Sequence, residues 1–136
     1  MPHDFKRFPE LTNHQMEVYY FESPHKQIIE NFTGKVVKVH DGDTIRVTAE
    51  FRDFDFPIRM ARIAAPELDE EGGLASRNWL KSQIMGKYVD VILTKQRVEK
   101  WGRLLASIMF MGIDLGSASI DAGYSVAWEA RERKWF

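Results

Sequence analysis

Asp41-Gly42-Asp43 places two carboxylates one residue apart around a glycine, between the β-branched stretches Val36-Val37-Lys38-Val39 and Thr44-Ile45-Arg46-Val47. Two later segments complete a chemical set: Ile58-Arg59-Met60-Ala61-Arg62-Ile63-Ala64-Ala65-Pro66-Glu67 and Glu99-Lys100-Trp101-Gly102-Arg103-Leu104. The aspartates are oxygen ligands of the kind that hold Ca²⁺ or Mg²⁺. Arg59 and Arg103 offer planar forks that bind two phosphate oxygens at once. Glu67 is a separate carboxylate that can manage a water. Phosphodiester hydrolysis needs these parts: neutralised non-bridging oxygens, a positioned water, and charge stabilisation in the transition state.

Taken singly, each part has a plainer explanation. An Asp-Gly-Asp-Thr turn is common, and an arginine on a strand is usually a surface residue paired with an acid. Glu67 after Pro66 can simply open a loop. Arg62 interrupts an apolar strand and is expected to face solvent or pair with an acid, with no part in chemistry. Trp79 falls on the apolar side of a helical pattern and is expected in the core. Trp101 lies in a charged loop, where packing does not account for it; a base can stack on such a ring without sequence preference.

The elements that must position these residues are legible from Phe32 onward. Val36–Val39 reads as a short strand. Thr44–Phe51 alternates, with Ile45, Val47, Ala49 and Phe51 on one face, as a half-buried strand does. Between them Asp41-Gly42-Asp43 reads as a turn, glycine tolerating positive φ and aspartate bonding its own backbone. Arg52–Asp55 is expected to be a second turn region and Phe56–Ile63 a third strand, closed by Pro66. After Gly72-Gly73, residues 74–85 read as a helix, with Leu80 and Ile84 paired at i,i+4 and Gly86 in the C′ position. Tyr88–Leu93 is a strand, 96–102 a charged loop, Leu104–Met111 a fifth strand, and 115–122 a weak helix ended by Gly123. The predicted class is β-rich α+β: a five-stranded OB barrel with two to three helices.

Residues 1–31 read as an N-terminal extension of unassigned role, ahead of a domain spanning 32–136. The extension holds three of the four histidines, His3, His14 and His25, which are expected to be solvated. The chain of 136 residues is 44% hydrophobic, enough for one folded domain and too much for disorder. It has no apolar run of about 18 residues, so no spanning helix is expected. Zero cysteines exclude disulfides, thiolate zinc sites and a cysteine nucleophile. No apolar leader is visible at the N-terminus, so a cytoplasmic location is the expectation. A net charge of −1 argues against a basic coat protein and for a local cleft if the partner is a polyanion. The C-terminal run Glu129–Lys134 is charged and expected to be solvated.

On Val39-His40-Asp41-Gly42-Asp43-Thr44, Arg59 through Pro66-Glu67, and Lys100-Trp101-Gly102-Arg103, in that order and spacing, the chain resembles the staphylococcal (thermo)nuclease family over roughly residues 34–128. The resemblance implies an OB barrel and a Ca²⁺-dependent nuclease acting on single-stranded DNA or RNA. It implies that Asp43 ligates the metal directly, with Asp41 in its outer shell. It implies that Arg59 contacts the scissile phosphate, that Glu67 positions the attacking water, and that Arg103 stabilises the transition state. Lys100 and Trp101 match positions flanking the bound nucleotide, and Trp128 falls near an aromatic stacking position, about a residue out of spacing.

One position departs from the pattern. Where the family places a second metal-ligating aspartate, this chain has Ala64. Loss of one anionic oxygen donor weakens a hard-cation site, and Asp69, Glu70 and Glu71 just downstream are candidates to replace it. Ala64 keeps a second reading open, a catalytically impaired nuclease-like module that binds nucleic acid or a protein partner, and the near-neutral charge permits a third, a purely structural interaction domain.

Overall fold

The computed structural model describes residues 3–130. Residues 131–134 of the charged C-terminal run therefore lie outside the described residues. Strands β1 (Phe32–Asp41), β2 (Thr44–Ala49) and β3 (Arg52–Met60) form an antiparallel meander, followed by the short β4 (Ile63–Ala64). Helix α2 (Gly73–Ile84) leads to β5 (Tyr88–Val98) and β6 (Leu104–Phe110); then come β7 (Ile113–Asp114), α3 (Leu115–Asp121) and β8 (Val126–Ala127). Helix α1 (Asn13–Tyr19), continued by a 3₁₀ turn at Tyr20–Glu22, precedes them all.

The sheet order is β3-β2-β1-β5-β6-β7, and β3 also pairs with β6, so five strands close into a barrel as the strand order predicts. Closure is parallel, with Ile58 opposite Leu104 and Met60 opposite Ala106. Val36, Ile45, Val47, Phe56, Ile58, Leu104 and Ile108 fill the interior, fully buried. Leu80 and Ile84 bring the inner face of α2 onto them, while Trp79 packs partly buried at the edge and stacks on Tyr124. Burial of this apolar surface is the main favourable term. Among the described residues no helix is long and apolar enough to cross a membrane.

A bulge decides which way β1 points at its end. Gly34 and Val36 face inward, and the register then shifts between Val36 and Lys38, so that Val39 and Asp41 face inward instead. An extra residue in one strand reverses the facing of everything beyond it. Without the bulge Asp41 would face solvent.

Three expectations change. Arg52–Asp55 is strand, not turn: the chain reverses at Glu50-Phe51, with Ala49 opposite Arg52. Phe51 accordingly sits at the turn, 51% exposed, rather than on the buried face. The cause is Arg52, which is buried against the N-terminal segment. It pairs with Glu10 Oε1 at 2.5 Å, donates to Lys26 O at 2.8 Å, and lies over the Phe56 ring at 4.6 Å. Likewise β5 runs on to Val98 instead of yielding to a loop at residue 96, because the Arg97 guanidinium is held by Ile28 O, Leu11 O and Asn13 Oδ1. Residues 10–13 and 25–28 thus lie against the barrel, with Glu10, Leu11, Gln27 and Ile28 buried. His3 and His25 are not free in solvent: His3 Nε2 is 2.7 Å from Phe8 O and His25 Nε2 is 2.7 Å from Pro9 O. His14 is exposed, as expected.

Candidate functional site

The β1–β2 hairpin presents the two aspartates. Asp41 ends β1, Gly42 and Asp43 make the reversal, and Asp41 Oδ1 accepts from Asp43 N at 3.0 Å. Gly42 does not take a positive φ, so the expected reason for a glycine is not the operating one. A Cβ here would meet Ala65 Cβ at 2.7 Å and collide with the Ser76 hydroxyl. The glycine lets the acidic turn lie directly on α2 and on the strand end that carries Ala65.

Asp43 is the hub. Its Oδ2 accepts from Ala65 N at 3.0 Å and lies 3.3 Å from Arg59 Nη2; its Oδ1 accepts from the Thr44 hydroxyl at 3.1 Å. Arg59 comes from β3, where Met60 N donates to Asp43 O at 2.8 Å and fixes the two elements together. The Arg59 guanidinium also donates to Met60 O at 2.5 Å and Ile63 O at 2.9 Å, and sits over the Trp128 ring at 5.7 Å.

Barrel closure brings in the second arginine. Because Ile58 pairs with Leu104 in parallel, Arg103 arrives beside the hairpin. Arg103 Nη1 is 3.2 Å from Thr44 Oγ1, while Nε and Nη2 engage Glu99 Oε1 and Oε2 at 3.1 and 3.3 Å. The turn beneath it is tight: Gly102 N donates to Glu99 O and Glu99 N to Arg103 O, both at 2.9 Å. Thus Arg59, Asp43, Thr44 and Arg103 form one connected array. Lys100 and Trp101 project from the same turn, with Lys100 Nζ over the indole at 5.2 Å and Trp101 60% exposed. Trp128 is half-exposed beside Arg59.

Burial pushes the Asp41 carboxyl up to about 7, helped by its hydrogen bond to Asp43 and by the negative charges of Asp43 and Glu67. Like charges crowded out of water disfavour ionisation. Glu67, the weakest of these influences, lies on an exposed loop whose backbone is tied by Glu67 N to Glu70 Oε1 at 2.8 Å.

The fit to a hard cation is limited. Two neighbouring carboxylates suit one, but Asp43 is already paired with Arg59 and bonded by Thr44 and Ala65. Ala64 is buried in β4 and offers no donor side chain. Glu70 bonds its own loop, Asp69 and Glu71 are exposed, and among the described residues no group of three or more His, Asp or Glu side chains gathers at a metal-binding distance. Of the acids expected around a cation, only Asp41 and Asp43 meet at the hairpin among the described residues.

Two members were missed in the sequence. Glu99 is the acid that grips Arg103, and its i,i+4 spacing across a glycine turn was the available signal. Thr44 links Asp43 to Arg103 through its hydroxyl, which no spacing rule reveals. Arg62 behaves as expected, exposed with Ser107 and Asp114 as partners.

The fold and array are those of a closed OB-type barrel with an acidic hairpin facing two arginines. No family model matches the chain. It is similar to proteins named "Uncharacterized endonuclease" from Escherichia coli O157:H7 and Escherichia coli, 32% identical over 97 residues, covering 71% of this chain and 61% of each relative. It is also similar to the "Probable endonuclease LCL3" of Paracoccidioides lutzii, 27% identical over 161 aligned positions, covering 93% of this chain and 43% of that relative. The chain thus spans less than two thirds of the length of these relatives.

Proposed function

We propose that the chain is an endonuclease that hydrolyses phosphodiester bonds of single-stranded DNA or RNA, of the staphylococcal nuclease type and Ca²⁺-dependent. The observation that carries this reading is the array in which Arg59 and Arg103 converge on Asp43 from two sides, directly and through Thr44. Endonuclease-named relatives support it.

Asp41 and Asp43 are the residues that would hold the cation, which when bound neutralises phosphate oxygens and stabilises charge in the transition state. Arg59, already fixed by two backbone carbonyls, binds the scissile phosphate with little reorganisation. Arg103 turns from Glu99 toward the phosphate and stabilises the charge that develops there. Glu67, exposed on its loop, positions the attacking water and accepts its proton as the P–O5′ bond breaks; cleavage leaves a 3′-phosphate and a 5′-hydroxyl whose oxygen takes its proton from solvent. Trp101, with Lys100 on its face, and Trp128 offer surfaces for bases next to the cleaved bond.

A second reading has its own support. With Ala64 buried and no third acid gathered among the described residues, the domain reads as a nuclease-like module that retains nucleic-acid binding and has lost most of the reaction.

The deciding experiment is cleavage of single-stranded DNA and RNA with Ca²⁺, with chelator, and with Glu67→Gln and Arg103→Ala. Ca²⁺-dependent cleavage lost in both variants supports the enzyme. Oligonucleotide binding without cleavage at any Ca²⁺ concentration supports the module.

A further inference from the structure

We propose that the N-terminal segment is a positioning element for Arg103, acting through Phe8 and Glu10 on the turn that carries this arginine; the proposal rests on the phosphate-binding role given to Arg103 above. The turn Glu99–Arg103 touches that segment at its tip and at its base.

At the tip, Gly102 holds a φ of +86°, and a Cβ there would stand 2.8 Å from both Phe8 Cβ and Phe8 Cδ1. The Phe8 ring therefore rests on the peptide just before Arg103. Phe8 is itself held: its N–H donates to Asp4 O at 2.9 Å, its carbonyl lies 2.7 Å from His3 Nε2, and the Arg7 guanidinium covers its ring at 5.2 Å.

At the base, Val98 pairs with Leu104 across the neck of the turn, directly after Arg97. Arg97 has a φ of +66°, a conformation an arginine adopts only when its surroundings impose it. Those surroundings are Leu11 O, Ile28 O and Asn13 Oδ1, with Glu10 Oε2 at 3.6 Å. Glu10 is 1% exposed and also holds Ile28 N at 3.2 Å. Such a buried carboxylate between two guanidinia contributes little net stability, and one use of it is to fix a single arrangement.

Among the described residues the side chain of Arg103 bonds only Glu99, inside the same turn, and Thr44. Barrel closure at Leu104 brings Arg103 to the hairpin, and the turn that holds Glu99 sets the direction of its guanidinium against Thr44. A displacement of about 1 Å is enough to cost roughly 100-fold in rate when a charge must meet a transition state.

The test uses the full chain with Phe8→Ala. Amide exchange at Gly102 and Arg103 is expected to quicken about tenfold, with a shifted Arg103 Nε–H resonance, while strand amides such as Val36 and Ile108 keep their rates. The value of kcat is expected to fall about tenfold with KM within about twofold, and the same change in an Arg103→Ala background is expected to add nothing further. Unchanged exchange and resonance, or an equal fall in kcat in both backgrounds, overturns the proposal. If the unaltered chain cleaves no nucleic acid, the functional reading fails, and exchange at Gly102 and Arg103 still decides whether the turn is braced. Phe8→Leu, which keeps part of the apolar contact, gives the same readouts at smaller size should the alanine variant not fold.

Discussion

Arg59 Nη2 lies 3.3 Å from Asp43 Oδ2 while the same guanidinium donates to the carbonyls of Met60 and Ile63. The planar fork of an arginine spreads its donors to match these three separate acceptors, whereas the three donors of an ammonium radiate from one nitrogen on a flexible stem. Arg59→Lys is therefore expected to behave as a severe change. Activity should fall about 100-fold, the scale of a lost preorganised donor. Steady-state kinetics beside a thermal melt checks this; near-native kcat with lysine would mean that Arg59 serves only as a counter-charge.

Glu99 grips Arg103 in the ligand-free protein, so phosphate and Glu99 compete for one guanidinium. Glu99→Gln is expected to lower KM for an oligonucleotide by freeing that charge. It is also expected to lower kcat several-fold, because the fork is less firmly aimed. The dependence of KM on salt should steepen, since one more phosphate contact releases one more counterion. Titration of both forms at two ionic strengths checks it, and an unchanged KM would count against the competition.

The Asp41 carboxyl gives a pH signature. Burial and the neighbouring negative charges raise it from 3.8 to about 7 in the folded chain. Between those values the folded state binds the proton and the unfolded state does not. The contribution of the protonated group is thus fully present below pH 3.8 and is lost as pH rises through 7. Asp41→Asn keeps the acceptor for Asp43 N and removes the charge. Without metal, the variant is expected to be more stable than the parent at pH 8 by on the order of 2 kcal/mol, and to match it near pH 4. Denaturant unfolding at several pH values checks this, and added Ca²⁺ should narrow the gap at pH 8.

How far the sequence could be read depends on what encoded each feature. Strand alternation and ordered motifs announced the barrel, and with it the convergence of Asp43, Arg59 and Arg103. The residues that failed were those whose conformation is imposed from far along the chain. Arg52–Asp55 has turn-like composition and becomes strand because Glu10 draws Arg52 inward. The bulge that turns Asp41 inward leaves no trace in the pattern Val36-Val37-Lys38-Val39. The seat of the N-terminal segment on the barrel was not legible because, beside the buried Leu11 and Ile28, its anchors are a buried carboxylate and backbone carbonyls, which hydropathy does not register.

Ala64 offers the sharpest test of the metal reading. It is 4% exposed in β4, directly before the Ala65 whose N–H bonds Asp43 Oδ2. Ala64→Asp would put a third carboxylate next to two that already repel each other. Without metal that is expected to lower the melting temperature, since a further buried charge lacks a counter-ion. With Ca²⁺ the same charge becomes a ligand, and affinity for a hard cation rises with anionic oxygen donors. The expectation is therefore a pair of opposite changes: a less stable metal-free protein, and Ca²⁺ binding tightened about tenfold or more by calorimetry. The coupling should also show as a larger rise in melting temperature on adding Ca²⁺ than the parent shows. Destabilisation with unchanged affinity would place any cation away from Asp41 and Asp43, and the assignment of those two residues would fall.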